Sequence, residues 1–175
     1  DASTQMARPS NRPKSQFLLG LVICQTLVAL PSEYFVSPAG SPTNSGTETS
    51  PWPSVGFALG NATGGDLITL LPGIYSESIV VDLSGTAEQP TVIRSQRKWE
   101  AVIQGSPSHG IYIADGVTNV VIDGLQVAAS AIDGVKVGSY AAVRNCWIHH
   151  SAGQGISAHR AQGTLLERNL IEHNG

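Results

Sequence analysis

Two polar–apolar registers repeat together along the second half of the chain. The first reads Gly, apolar, polar, apolar at Gly110-Ile111-Tyr112-Ile113, Gly134-Val135-Lys136-Val137 and Gly155-Ile156-Ser157-Ala158, with spacings of 24 and 21 residues. The second runs through Ile122-Asp123-Gly124-Leu125-Gln126-Val127, Val143-Arg144-Asn145-Cys146-Trp147-Ile148 and Leu166-Glu167-Arg168-Asn169-Leu170-Ile171. Phase-locked repeats of this length mark a solenoid, in which a coil buries its apolar face only by stacking on the next. The apolar runs are short, rich in Val and Ile and bounded by Gly or polar residues, so they predict strands. Three strands per coil, stacked in parallel about 4.8 Å apart, make a right-handed parallel β-helix. Val135, Val137, Ile156, Ala158, Ile122, Leu125, Val127, Val143, Cys146, Ile148, Leu166 and Ile171 are then expected to point inward, with Gly110, Gly134 and Gly155 stacked along one edge.

Earlier coils are expected from the strand-like runs 67–71, 79–83, 91–94 and 101–104, which are separated by Pro72-Gly73, Ser84-Gly85 and Gly105. The amphipathic segment Pro53 to Asn61 precedes them and is expected as a helical cap that plugs the first coil, because an open solenoid end exposes both core and backbone edge. Composition agrees with this all-β reading. Only 13% of residues are charged and 19 are glycine, which suits many strands and tight turns. A formal charge of −3 with no basic run after Lys98 leaves no nucleic-acid footprint.

The first 32 residues read differently. Residues 1–5 precede the first methionine, Met6, and read as upstream read-through or a scar. Residues 6–32 have the layout of a secretory signal peptide: Arg8, Arg12 and Lys14, then an apolar run from Phe17 to Leu30, with cleavage expected between Ala29 and Ser32. The run is shorter than the roughly 20 residues that span a bilayer, so no stable membrane span is expected after cleavage. Cys24 raises a lipoprotein alternative, but Ile23 is not the small residue such a site wants. The β-helix domain is assigned to 33–175, secreted to the extracellular space, periplasm or cell surface, with Cys146 as its one cysteine and hence no internal disulfide.

The stretches "YFVSPAGSPTNSGTETSPWPSVGFAL", "GGDLITLLPGIYSESIVV" and "SGTAEQPTVIRS" resemble the opening of secreted right-handed β-helix proteins, namely pectate lyases, chondroitinase-B-like and alginate lyases, β-helix glycosidases and mannuronan epimerases. The resemblance runs over residues 34 to 175 and implies a polysaccharide or glycan partner. It is specific for the fold, since the same opening precedes different chemistries.

A uronate lyase needs a cation or Arg to offset the sugar carboxylate and a base to remove the C5 proton. Asp115 and Asp133 are candidate calcium ligands and Lys136 a candidate base, with His159 and Arg160 as further catalytic candidates. Tyr112, Trp147 and Gln154 are candidates for substrate contact. A structural reading stands beside each: Asp133 as a turn former, Lys136 as a solvated side chain, Tyr112 as surface packing. Asp123, Arg144 and Glu167 are expected as an outward charge ladder. His149, His150 and His173 are expected as stacked turn residues in preference to a zinc site.

The resemblance also subtracts. No Pro follows Pro107, so the Arg-Pro-Arg motif of one pectate lyase group is missing from the later coils, and no Asp-Asp pair matches the polygalacturonases. The third coil of the repeat begins at Gly155 without a cap after it, so the sequence reads as an N-terminal fragment whose main catalytic coils lie beyond Gly175. Two functions are left open: a uronic-acid polysaccharide lyase, with a β-helix glycoside hydrolase as the sub-case, and a noncatalytic adhesion or glycan-binding β-helix.

Overall fold

The computed structural model describes residues 30–175. The signal-peptide expectation therefore lies, up to residue 29, outside the described residues. Among the described residues no helix is long and apolar enough to cross a membrane.

Fifteen short strands wind into three parallel sheets. The first sheet stacks β1 (Glu33–Val36), β2 (Leu67–Leu70), β5 (Thr91–Ser95), β8 (Val120–Asp123), β11 (Ala142–Arg144) and β14 (Leu165–Glu167). The second stacks β3 (Gly73–Tyr75), β6 (Ala101–Gln104), β9 (Gln126–Ala128), β12 (Trp147–His149) and β15 (Leu170–Glu172). The third stacks β4 (Ile79–Val81), β7 (Ile111–Ile113), β10 (Val135–Lys136) and β13 (Ile156–Ser157). This is the all-β parallel solenoid that the repeat implies. Two strands, β1 and β3, went unread in the sequence; Gly73 looks like turn punctuation but opens β3, which pairs with β6.

Alternation along each strand fills the interior. Ile68, Ile93, Ile122 and Val143 form one fully buried file, and Ile103, Val127 and Ile148 another. Eight of the twelve expected inward residues are buried: Val135, Val137, Ile122, Leu125, Val127, Val143, Cys146 and Ile148. Four are corrected. Ile156 is half-buried, Ala158 is exposed, and Leu166 and Ile171 are 46% and 48% exposed. Their register is as expected, since Leu166 pairs with Val143 and Ile171 with Ile148. They belong to the outermost coil, where the inward file has a neighbouring layer on one side only.

The corners explain how so short a strand can change direction. One residue per coil takes a left-handed backbone between the first and second sheets, at Gly124 (φ 70°), Asn145 (φ 55°) and Arg168 (φ 55°). A second does so after the second sheet, at Gly105, Ala129, His150 and His173. Such a residue turns the chain sharply without a loop, at a steric cost for any side chain but Gly. In the last coil two asparagines tie the corners to the coil below. Asn169 accepts from the Cys146 N–H at 3.0 Å and donates to the Val143 carbonyl, while Asn174 accepts from the Ser151 N–H and donates to the Ile148 carbonyl. Burial pushes the Cys146 thiol up to about 12, so it is a packing group and not a nucleophile.

Glycines line the edge beside the third sheet. A Cβ at Gly134 would stand 2.4 Å from Ile148 Cγ2 and 2.6 Å from the Gly155 carbonyl oxygen. Neighbouring coils are too close there for a side chain.

The N-terminal end is covered by other means. α1 (Val55–Leu59) packs on β1, β2 and β4 and buries Val55, Ala58 and Leu59. Ser54 Oγ accepts from the Phe57 N–H, and the Glu77 carboxylate accepts from Val55 and Gly56, so the free N–H groups of this single turn are satisfied. Trp52 stacks on Tyr34 with ring centroids 4.5 Å apart.

Candidate functional site

Four candidates from distant points in the sequence meet at one cavity. Asp115, Lys136, His159 and Arg160 line a space of about 350 Å³ together with Gly116, Val137, Gly138, Ser139 and Ala161. The repeat is the reason. β7, β10 and β13 lie in register, so the turns that leave them toward the first sheet are stacked as well. Arg160 holds a left-handed backbone (φ 62°) within a turn closed by the Ala161 N–H donating to the Ala158 carbonyl.

Lys136 stands in the outward file between Tyr112 and Ser157. Its Nζ lies 4.6 Å from the Tyr112 ring centroid, a cation–π distance. The Tyr112 ring also lies beside His109, with centroids 5.7 Å apart and tilted. One ammonium, one guanidinium, one imidazole and one carboxylate therefore share a small polar space that opens beside an aromatic ring.

The other candidates are placed elsewhere. Asp133 is a turn brace: its Oδ1 accepts from the Gln154 N–H at 2.9 Å, and Oδ2 lies 3.4 Å from His109 Nδ1. Gln154 contributes that backbone N–H and exposes its side chain. Asp115 and Asp133 thus do not line a common cavity. Among the described residues no group of three or more His, Cys, Asp or Glu side chains could hold a metal ion. Calcium takes six to eight oxygens, and this cavity presents one side-chain carboxylate, Asp115.

Trp147 belongs to the second sheet, away from Tyr112. Its Nε1 donates to Glu172 Oε1 at 3.0 Å, and its ring lies 4.4 Å from His149 and 5.7 Å from Trp99. His149 Nδ1 lies 2.7 Å from His150 Nδ1, and His150 stacks on His173 at 5.1 Å, which is the turn stacking expected of these residues. Burial and the neighbouring His150 lower the pKa of His149.

Sequence reasoning missed a second and larger concavity. It covers about 470 Å³ on the outer face of the six-stranded sheet, around Phe35, Thr69, Arg94 and Asp123. The ladder expected from Asp123, Arg144 and Glu167 extends into it, because Arg94 pairs in register with Asp123. The signal was the outward position of Arg94 in the run 91–94, obscured by the longer connection through residues 96–100.

Residues 34–174 match the family described as the Pel9A-like, right-handed beta helix region. The chain belongs to that family. The pectate lyase PEL9 of Emericella nidulans is 35% identical over 83 residues, which is 46% of this chain and 20% of that protein. Among solved structures, pectate lyase Pel9A superposes with a TM-score of 0.67 at 21% identity, over 85% of this chain and 46% of that one. A GH136 lacto-N-biosidase from Eubacterium ramulus gives a TM-score of 0.56 at 16% identity, over 78% of this chain and 34% of that one. This Pel9A-like chain therefore spans less than half the length of each. The two structural likenesses establish the fold, and they carry different reactions on it.

Proposed function

We propose that this Pel9A-like chain is part of a secreted enzyme that cleaves uronic-acid polysaccharides by β-elimination, and that the Lys136 cavity receives one uronate unit. The observation that carries the reading is the convergence of Lys136, His159, Arg160 and Asp115 on one cavity. The pectate lyase relative supports the substrate class. The charged-then-apolar segment of residues 6–32 supports export.

Each group has a task. Arg160 pairs with the uronate carboxylate and draws charge from C5 as the carbanion develops. Lys136 takes the C5 proton. The electron pair forms the C4–C5 double bond while the C4–O4 bond breaks, and His159 in its protonated form delivers a proton to O4. Asp115 holds a sugar hydroxyl or orients the two cations. Hydrolysis would instead need two carboxylates about 5 to 9.5 Å apart; this cavity has one.

The test is a panel of uronic-acid polymers followed for the ultraviolet absorbance of unsaturated products. Lys136→Ala is expected to abolish it with the fold intact. New reducing ends without that absorbance would indicate a glycosidase, and binding without turnover a glycan-binding module.

A further inference from the structure

We infer that the groove on the outer face of the six-stranded sheet is a second binding site for an acidic glycan, separate from the Lys136 cavity. Its floor is the outward file Phe35, Thr69, Arg94 and Asp123, four residues in direct register on successive strands. Successive members are therefore about 4.8 Å apart, close to the length of one pyranose unit. An extended sugar chain lying along the solenoid axis would meet a new side chain with each residue.

Two cations of the groove keep N–H donors to spare, while each acid already accepts at least one hydrogen bond. Glu33 Oε1 accepts from Thr69 Oγ1 at 2.7 Å and Arg94 Nη2 at 2.9 Å, and Asp123 accepts from Arg144 Nε at 3.0 Å and Asn145 Nδ2 at 2.8 Å. Glu48 accepts from Gln96 Nε2. The cations keep donors to spare. Lys98 Nζ rests over the Trp99 ring at 4.3 Å and meets no acid among the described residues. Arg94 spends Nε on Thr69 and Nη2 on Glu33, which leaves Nη1 for a ligand.

Fixed acids, spare N–H donors on two cations and the half-buried Phe35 ring suit one ligand class. A uronate offers a carboxylate to Lys98 and Arg94, hydroxyls to the remaining lone pairs, and an apolar ring face to Phe35. A neutral sugar leaves the cations unmatched, and a small inorganic anion leaves Phe35 and the length of the groove unused. The inference shares the acidic-glycan class with the proposed reaction but does not need turnover.

Titrating the isotope-labelled 175-residue chain with an oligogalacturonate, and following backbone amide resonances, separates the two sites. Shifts are expected at Phe35, Arg94, Lys98 and Gly124, with the fully methyl-esterified oligomer and inorganic phosphate producing none of comparable size. Lys98→Glu should weaken the groove shifts about tenfold or more in affinity. Arg94→Gln should do so as well; because Arg94 also braces β1 and β2, the exposed Lys98 variant decides if Arg94→Gln unfolds. Absent groove shifts, equal response to the methyl ester or phosphate, or an unchanged Lys98→Glu would each overturn the inference. Shifts near Lys136 and unsaturated products report on the other site, so either proposal can fail without the other.

Discussion

Arg144 Nε lies 3.0 Å from Asp123 Oδ2 on the coil below, while Glu167, in register on the next coil, forms no ion pair among the described residues. The ladder is thus closed on one rung. The two paired side chains are 40% and 25% exposed, so the pair contributes about 0.2 to 1 kcal/mol. Arg144→Glu would place carboxylates on three successive coils. Urea denaturation should show a loss of about 1 kcal/mol that shrinks in high salt. A loss indifferent to salt would assign the effect to packing of the Arg stem.

Gly134 is required for closeness and not for its dihedral angles. Gly134→Ala drives a methyl into Ile148 and into the Gly155 backbone, and backbone cannot move aside in a stacked solenoid. The expected cost is about 1 to 3 kcal/mol or more. Gly60→Ala is the control: there a Cβ meets nothing closer than 3.6 Å. Thermal melting of the two variants should separate them clearly.

The inside of this protein was legible because two periods agree. Strand alternation fixes which of Ile122 and Asp123 points inward, and the coil repeat fixes that Val143 and Arg144 follow them. That same register explains why Asp115, Lys136, His159 and Arg160 share a cavity. Asp133 shows the turn role that stood beside its ligand reading, because a carboxylate next to Gly in a turn has a near partner in the Gln154 N–H. Arg94 was overlooked because the 96–100 connection stretches its coil past the repeat length. Leu166 and Ile171 keep the inward register of Val143 and Ile148, and their exposure follows from having a neighbouring layer on one side.

Left-handed corners invite a stabilising change. Ala129 holds φ 54° on an exposed corner, where its methyl adds little packing. The left-handed region costs an L-residue roughly 1 to 2 kcal/mol, and a glycine's extra backbone entropy offsets about 0.5 to 1 of that. Ala129→Gly should therefore raise stability by about 0.5 kcal/mol, and Ala129→Val should lower it. A Val variant as stable as the parent in chemical denaturation would contradict the backbone assignment.

His149 supplies the pH dependence. Its ring is half-buried beside Trp147, its Nε2 lies 2.9 Å from Gln126 Nε2, and His150 and His173 add like charge when protonated, against the opposing pull of Glu172. Burial and those neighbours hold its folded-state pKa below the usual value of about 6.5. Between the two values the unfolded chain binds more protons than the folded one, so stability falls as pH drops below about 6.5, and the loss stops growing below the folded pKa. Other groups titrate in the same range, so the contrast with a variant isolates this one. His149→Gln keeps a hydrogen-bonding side chain but cannot be protonated, and its urea midpoint should fall less than the parent's between about pH 7.5 and about pH 5. If parent and variant lose the same increment, the proton uptake on unfolding belongs to other residues, and the His149 to Trp147 contact is a packing feature alone.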